Sequence, residues 1–276
     1  MQTPHLFIGE INMITGKNIV LTGCDNGIGL EVLKLLKGRN KILCVDKNIG
    51  RLEPLADEKT IIFQKDVSSK EAVDEIFEVA LEKLGSIDIF YANAGYPYYE
   101  EMNYCDWDRV SRMFETNVFS PIYSYQKYVE YLAGRKGIFA ITVSAIGTMA
   151  MPGFTIYSAS KFAMHGFQEG IRLEKPDNVQ LTCLYPVATD TGFFPAANEL
   201  PFKKPFPVQK PDHVARKMVE GIEKGKKNVS PCKLFDLSKV LMKFLPPVKT
   251  VYLALEKRKF AEFKETVKKH KEGALK

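Results

Sequence analysis

A rhythm constrains this chain more than any single residue does. Six short apolar runs, NIVLT (18–22), KILCV (41–45), TIIFQ (60–64), DIFY (88–91), GIFAITV (137–143) and VQLTCL (179–184), are separated by stretches each long enough for a helix. Antiparallel strands can be joined by tight turns, whereas parallel strands need crossovers of about a dozen residues or more. The spacing therefore predicts parallel strands with helical connections. Runs such as IFAITV are almost unbroken by polar residues, as strands covered on both faces must be. The expected fold class is α/β, a doubly wound Rossmann sheet with helices on both faces.

A chain of 276 residues, 45% of them hydrophobic, can bury such a core. No internal repeat or low-complexity linker appears, so residues 1–276 read as a single Rossmann-type catalytic domain. Residues 192–210 (GFFPAANELPFKKPFPVQK) hold four Pro and four Phe, too many breakers for a regular element and too many aromatics for a solvated linker. They read as a substrate lid over an apolar site, with a plain surface loop as the alternative. Residues 235–276 read as a basic C-terminal helical extension in which Val248, Val251, Tyr252, Leu255, Phe260, Phe263 and Val267 share one broad face.

The net charge of +6 is unevenly distributed: residues 203–276 hold 20 Lys/Arg against 8 Asp/Glu. This tail either buries its apolar face with its lysines solvated, or rests peripherally on an anionic membrane surface. Nucleic acid is not an expected partner, because the charge is not interleaved with a stacking platform. The first 16 residues lack the pattern of a secretory leader, and no stretch approaches about 18 apolar residues. Five scattered cysteines without a C-x-x-C pair suit reduced thiols better than disulfides or a metal site, so the expected location is cytoplasmic and no metal is expected.

TGCDNGIG (22–29) follows the strand NIVL and precedes the helical pattern LEVLKLL. Gly23, Gly27 and Gly29 permit a tight turn, close backbone approach to a diphosphate and close helix–strand packing, and Asp25, Asn26 and Ile28 complete the loop. An ordinary strand-to-helix turn is the alternative. Asp46 ends the second strand, where an acid can accept from the ribose hydroxyls of NAD and repel the 2′-phosphate of NADP. Asp25 would add to that repulsion. Lys47 pulls the other way, which leaves NADP the less favoured cofactor. Asp66 with Val67, and Asn93, Ala94 and Gly95, fall just after the third and fourth strands, at the edge where such sheets bind ligands. Taken singly, Asp66 suits a helix cap and Asn93 a turn.

YSASK (157–161) places Tyr157 and Lys161 four residues apart, but Tyr123 and Lys127 show that the spacing also arises by chance. What precedes the pair gives it meaning. The order TGCDNGIG, Asp66-Val67, NAG (93–95), Asn117 in FETNVFSP, Ser144, YSASK and PVATDT (186–191) resembles the short-chain dehydrogenase/reductase family in its short, single-domain form, over roughly residues 15–230. The resemblance implies a seven-stranded parallel sheet, a nicotinamide cofactor and interconversion of an alcohol and a carbonyl. It implies Tyr157 as general acid/base, Lys161 to lower the phenol's pKa and hold the nicotinamide ribose, Ser144 on the substrate oxygen, and Asn117 in a water relay. Pro186, Val187, Thr189 and Thr191 would run beside the nicotinamide, with Val187 standing where the family usually has glycine.

The substrate expected is a small apolar alcohol or ketone, steroid-like or lipid-like, because Met149, Met151, Phe154, Phe193, Phe194, Phe202 and Phe206 surround the catalytic positions in sequence. A non-catalytic nucleotide-sensing or interaction protein on the same fold is the alternative. Family precedent implies a homodimer or homotetramer, built partly on an aromatic-rich helix over 106–134.

Overall fold

A computed structural model describes residues 14–274. The expectation about a leader falls mostly on residues 1–13, and the basic extension ends in residues 275 and 276; both segments lie outside the described residues. In chain order the elements are β1 (Asn18–Thr22), α1 (Gly27–Leu36), β2 (Lys41–Asp46), β3 (Thr60–Gln64), α2 (Lys70–Leu84), β4 (Ile89–Ala92), α3 (Trp107–Phe114), α4 (Ser120–Leu132), β5 (Gly137–Thr142), α5 (Thr155–Glu174) and β6 (Val179–Leu184). They continue with β7 (Ala188–Thr189), β8 (Val208–Gln209), α6 (Pro211–Glu223), β9 (Asn228–Val229), α7 (Lys233–Phe244) and α8 (Pro246–Ala274). Seven strands form one parallel sheet in the order β3-β2-β1-β4-β5-β6-β9, and β7 pairs with β8 apart from it.

Alternation along β1 shows why both faces must be covered. Ile19 and Leu21 pack with Val32, Leu33 and Leu36 of α1 and with Met218 of α6, while Val20 joins Ile76 of α2, Tyr128 of α4 and Met164 of α5. Each of these strand residues is essentially inaccessible, so truncating Ile19 or Leu21 to Ala costs about 2–5 kcal/mol. Local signals set the helix ends: Ser69 caps α2 by accepting from Ala72 N at 3.1 Å, and Gly85 closes it at φ 81°.

The seven-stranded sheet is as expected, and four features add to or alter the sequence reading. The seventh strand, β9, is only two residues long. The helix expected over 106–134 contains a π turn at Glu115–Phe119. Its aromatics turn mostly inward, with Tyr125 and Tyr128 packed on Phe139 under the sheet, while Trp107 and Phe119 are prominently exposed. Tyr123 and Lys127 both bond Asp74 of α2, which makes that second Tyr-x-x-x-Lys pair a helix–helix tie. In α8 the inward stripe is Tyr252, Glu256, Phe260, Phe263 and Val267, whereas Val251 and Leu255 are exposed. The seam is displaced because buried Glu256 pairs with Lys259 at 2.7 Å, which lets an acid occupy a core position.

Candidate active site

The chain leaves β1 toward β2 on one side of the sheet and returns to β4 on the other, which opens a crevice at the strands' carboxyl ends. A cavity of about 670 Å³ lies there. Its floor is the glycine loop. Gly23 has φ +66°, and a Cβ on it would stand 2.6 Å from Ala94 Cα, so only glycine fits. Asn26, Gly27 and Ile28 line the cavity at the start of α1, with Asn26 Oδ1 accepting from Gly27 N at 2.7 Å. Gly29 does not reach the cavity: a Cβ there would lie 2.1 Å from Gly23 O, so its part is helix–strand packing.

Asp46 and Lys47 line the far end of the cavity. The Asp46 carboxylate accepts from Asp25 N at 2.9 Å and Asn48 N at 3.1 Å, and burial nonetheless raises its pKa above the ordinary carboxylate value. Lys47 Nζ lies over the Tyr96 ring, 5.7 Å from its centroid. Asp25, expected in the cofactor site, is turned into the protein: its Oδ1 accepts from Arg51 N at 2.7 Å, and it lines no part of the cavity. Asp66 and Val67 line the cavity; Asp66 accepts from Ser68 N at 3.0 Å, and the cap of α2 is Ser69.

Asn93, Ala94 and Gly95 border the same space. Asn93 is also a staple across three strands. Its Nδ2 donates to Gly23 O at 2.7 Å, and its Oδ1 accepts from Thr142 Oγ1 at 2.9 Å. Tyr91's hydroxyl meets Thr142 Oγ1 at 2.8 Å and must donate there, since that threonine's proton is committed to Asn93.

Ser144, Tyr157 and Lys161 converge on the opposite wall. Tyr157 and Lys161 share a face of α5 at i and i+4. Ser144 has φ 132°, a strained value for a residue with a side chain, and its Oγ donates to Pro186 O at 3.4 Å. Lys161 Nζ is buried 5.8 Å from the Tyr157 ring centroid and donates to Thr142 O at 3.1 Å. Burial lowers the Lys161 pKa from 10.5 to about 8. Burial also pushes the Tyr157 phenol well above its ordinary value, with the Ser144 hydroxyl pulling the other way. The expected depression of the phenol by Lys161 is thus absent in the protein alone: desolvation of the phenol outweighs any attraction to the Lys161 ammonium.

Asn117 lies in the π turn and does not line the cavity. Its carboxamide accepts from Tyr96 N at 3.1 Å and donates to Tyr96 O at 3.0 Å and Ser160 Oγ at 3.2 Å. Pro186, Val187, Thr189 and Thr191 all reach the cavity. Among the described non-glycine residues only Ala133 and Ser144 have positive φ, so Val187 replaces the usual glycine without strain. It packs against Ala145, Cys232 and Phe235.

The aromatics of residues 192–210 divide. Phe193 stands 5.5 Å from the Tyr157 ring and, with Phe194, lines the cavity, and Phe206 is at its mouth. Phe202 instead stacks on Tyr99 at 4.0 Å in the core. Met149, Met151 and Phe154 line the cavity as expected. Sequence reasoning missed Thr142, Tyr96, Arg112, Phe235 and Tyr252, which also border it. The YPYY run (96–99) directly after NAG was the available signal for Tyr96, and Thr142 lies two residues before Ser144 and Arg112 five before Asn117; Phe235 and Tyr252 are distant in sequence from every motif. The described residues hold no cluster suited to a metal, the five cysteines are free, and no helix is long and apolar enough to cross a membrane.

A family profile described as short chain dehydrogenase matches residues 17–200. The chain is 25% identical to 17-beta-hydroxysteroid dehydrogenase 13 of Mus musculus, covering 83% of this chain and 78% of that protein. It is 27% identical to 3-ketodihydrosphingosine reductase of Bos taurus, covering 79% and 71%. Its fold superimposes, with TM-score 0.73 and 20% identity, on a short chain dehydrogenase/reductase from Burkholderia phymatum in complex with NAD, covering 84% of this chain and 94% of that one.

Proposed function

The chain belongs to the short-chain dehydrogenase family of oxidoreductases, and from that membership and the site's geometry we propose that it interconverts a secondary alcohol and a ketone on an apolar, steroid-like or lipid-like substrate. The observation that carries the reading is the meeting of Ser144, Tyr157 and Lys161 in the wall of a cavity whose other end holds Asp46 and the glycine loop.

The cavity fits a nicotinamide dinucleotide. It offers a carboxylate for ribose hydroxyls at Asp46, open backbone at Gly27 and Ile28 at a helix start, and apolar walls at Val67 and Ala94. Lys161 would hold the nicotinamide ribose, and Pro186, Thr189 and Thr191 the carboxamide end. The bound cofactor supplies or accepts the hydride. NAD is the proposed preference, because Asp46 would repel a 2′-phosphate; Asp25, turned to Arg51, adds nothing to it.

In reduction, the Tyr157 hydroxyl gives its proton to the substrate oxygen, and Ser144, turning its hydroxyl from Pro186 O, donates to that oxygen as charge develops on it. Lys161, held by Thr142 O, sets the charge near the phenol. Asn117 positions Tyr96 through both ends of its carboxamide. Phe193, Phe194, Met149 and Met151 exclude water and grip an apolar skeleton, and the two relatives are named for a hydroxysteroid and a ketosphingoid. The test is a panel of steroid, long-chain and medium-chain ketones and alcohols with NADH/NAD and NADPH/NADP. Tyr157→Phe should lower turnover about 10²–10⁴-fold and leave dinucleotide binding near wild type; a variant that retains native rates refutes the role of Tyr157.

A further inference from the structure

We propose that the outer face of α7, with the start of α8, docks on an anionic lipid bilayer and holds the cavity's mouth against it. On α7, Leu234, Leu237, Leu241 and Phe244 follow one another at spacings of three and four residues, hence on one face, and are 42–73% exposed. Leu245, Val251 and Leu255 extend the exposed set into α8. Single apolar side chains on a surface are ordinary, but with Val240 there are eight large ones from Leu234 to Leu255, and together they mark a surface meant to be covered.

The other sides of the same helices form the site. Phe235 of α7 is buried and lines the cavity, and so does Tyr252 of α8, whose hydroxyl donates to Phe206 O at 2.8 Å. Phe206 itself is exposed and borders the cavity. The two helices thus wall the cavity inwardly and offer apolar surface outwardly.

Charge selects the occupant. From Lys233 to Lys257 the chain has five lysines and two acids. Both acids are engaged: Asp236 accepts from Ser230 Oγ at 2.7 Å and pairs with Lys239, and buried Glu256 pairs with Lys259. Lys233, Lys243, Lys249 and Lys257 are exposed. Leucines and a phenylalanine flanked by lysines suit an interface where apolar side chains enter the acyl boundary and ammonium groups reach anionic headgroups. A second copy of this chain would set the same lysines against each other across a two-fold contact, which disfavours it. The docking rests on the apolar-substrate reading for its purpose, since a substrate dissolved in the bilayer would meet the cavity directly.

The experiment is co-sedimentation of the full-length protein with vesicles of phosphatidylcholine alone or mixed equally with phosphatidylserine. Wild type should pellet with the anionic vesicles and be released by added salt. Leu237→Ser/Leu241→Ser/Phe244→Ser should weaken binding at least about tenfold, and Lys233→Gln/Lys243→Gln/Lys249→Gln roughly fivefold per charge on anionic vesicles only. Unchanged melting curves would show that both variants fold. Failure of wild type to pellet with either vesicle, or equal pelleting by both variants, overturns the proposal. So does a wild-type oligomer in light scattering that dissociates in the serine variant, because a second copy would then own the face. Turnover of a water-soluble ketone should stay at the wild-type rate in both variants; its absence in wild type would count against the enzymatic reading and leave the docking result intact.

Discussion

Lys161 is a charge held at a cost that the structure allows to be sized. Its ammonium is buried, its one hydrogen bond runs to Thr142 O at 3.1 Å, and burial moves its pKa from 10.5 to about 8. At neutral pH both the folded and unfolded chains carry the proton, and the folded one bears a penalty of about 3 kcal/mol for doing so. Between about pH 8 and 10.5 the unfolded chain binds more protons, so this group makes stability rise with pH across that window. Lys161→Met keeps the unbranched stem and removes the charge, leaving the Thr142 carbonyl short of a partner at about 1 kcal/mol. The variant should therefore be about 2 kcal/mol more stable than wild type at neutral pH, with the advantage vanishing toward pH 10.5 as wild type sheds its proton. Urea unfolding of the protein alone across this pH range measures it, provided the m-value is unchanged. A variant less stable than wild type at neutral pH, or an advantage indifferent to pH, would refute the reading of Lys161 as a buried, unpaired cation.

Asp46→Asn should weaken NAD(H) binding about tenfold and improve NADP(H) relative to it, as read by fluorescence titration of both reduced dinucleotides; equal losses for both would mean that Asp46 serves only to hold Asp25 N and Asn48 N. Gly23→Ala places a Cβ 2.6 Å from Ala94 Cα at φ +66° and should cost about 2–4 kcal/mol, lowering the melting temperature by several degrees; an unchanged melt would show that the loop can relax.

Six strands were legible because burial on both faces leaves apolar runs that no other element needs. β9 was not, since Asn228–Val229 is too short to show a period. Nothing in ETNVF distinguishes a π turn from ordinary helix, because the change lies in which carbonyl each amide finds. Thr142 reads as a polar lapse at the end of a strand until β1, β4 and β5 stand side by side and its hydroxyl meets Asn93 and Tyr91. Asp25 and Asp46 look alike near a glycine loop; only the fold brings Arg51 N to one of them and leaves the other at the cavity. The helical wheel put Val251 and Leu255 inside α8 because counting apolar residues cannot anticipate that Lys259 allows Glu256 to be buried there. The convergence of Ser144, Tyr157 and Lys161 was readable from motif order, but their protonation was not, because burial is a property of the assembled wall.

That protonation bears on the direction of the chemistry. Burial pushes Tyr157 up and Lys161 down, so both groups move toward their neutral forms. A neutral phenol is the form that donates to a ketone oxygen, whereas oxidation of an alcohol needs phenolate to take the proton. On the proposed role of Tyr157, the protein alone should therefore favour reduction at neutral pH. Oxidation needs extra positive charge near the phenol, which an oxidised nicotinamide would bring and a reduced one would not. Oxidation rates should accordingly climb with pH, while reduction stays level until the phenol itself titrates. Since the Lys161 ammonium is lost from about pH 8 upward, the climb in oxidation should flatten there as the cation that favours phenolate disappears. Parallel pH profiles in the two directions would mean that the proton being read is not the one on Tyr157.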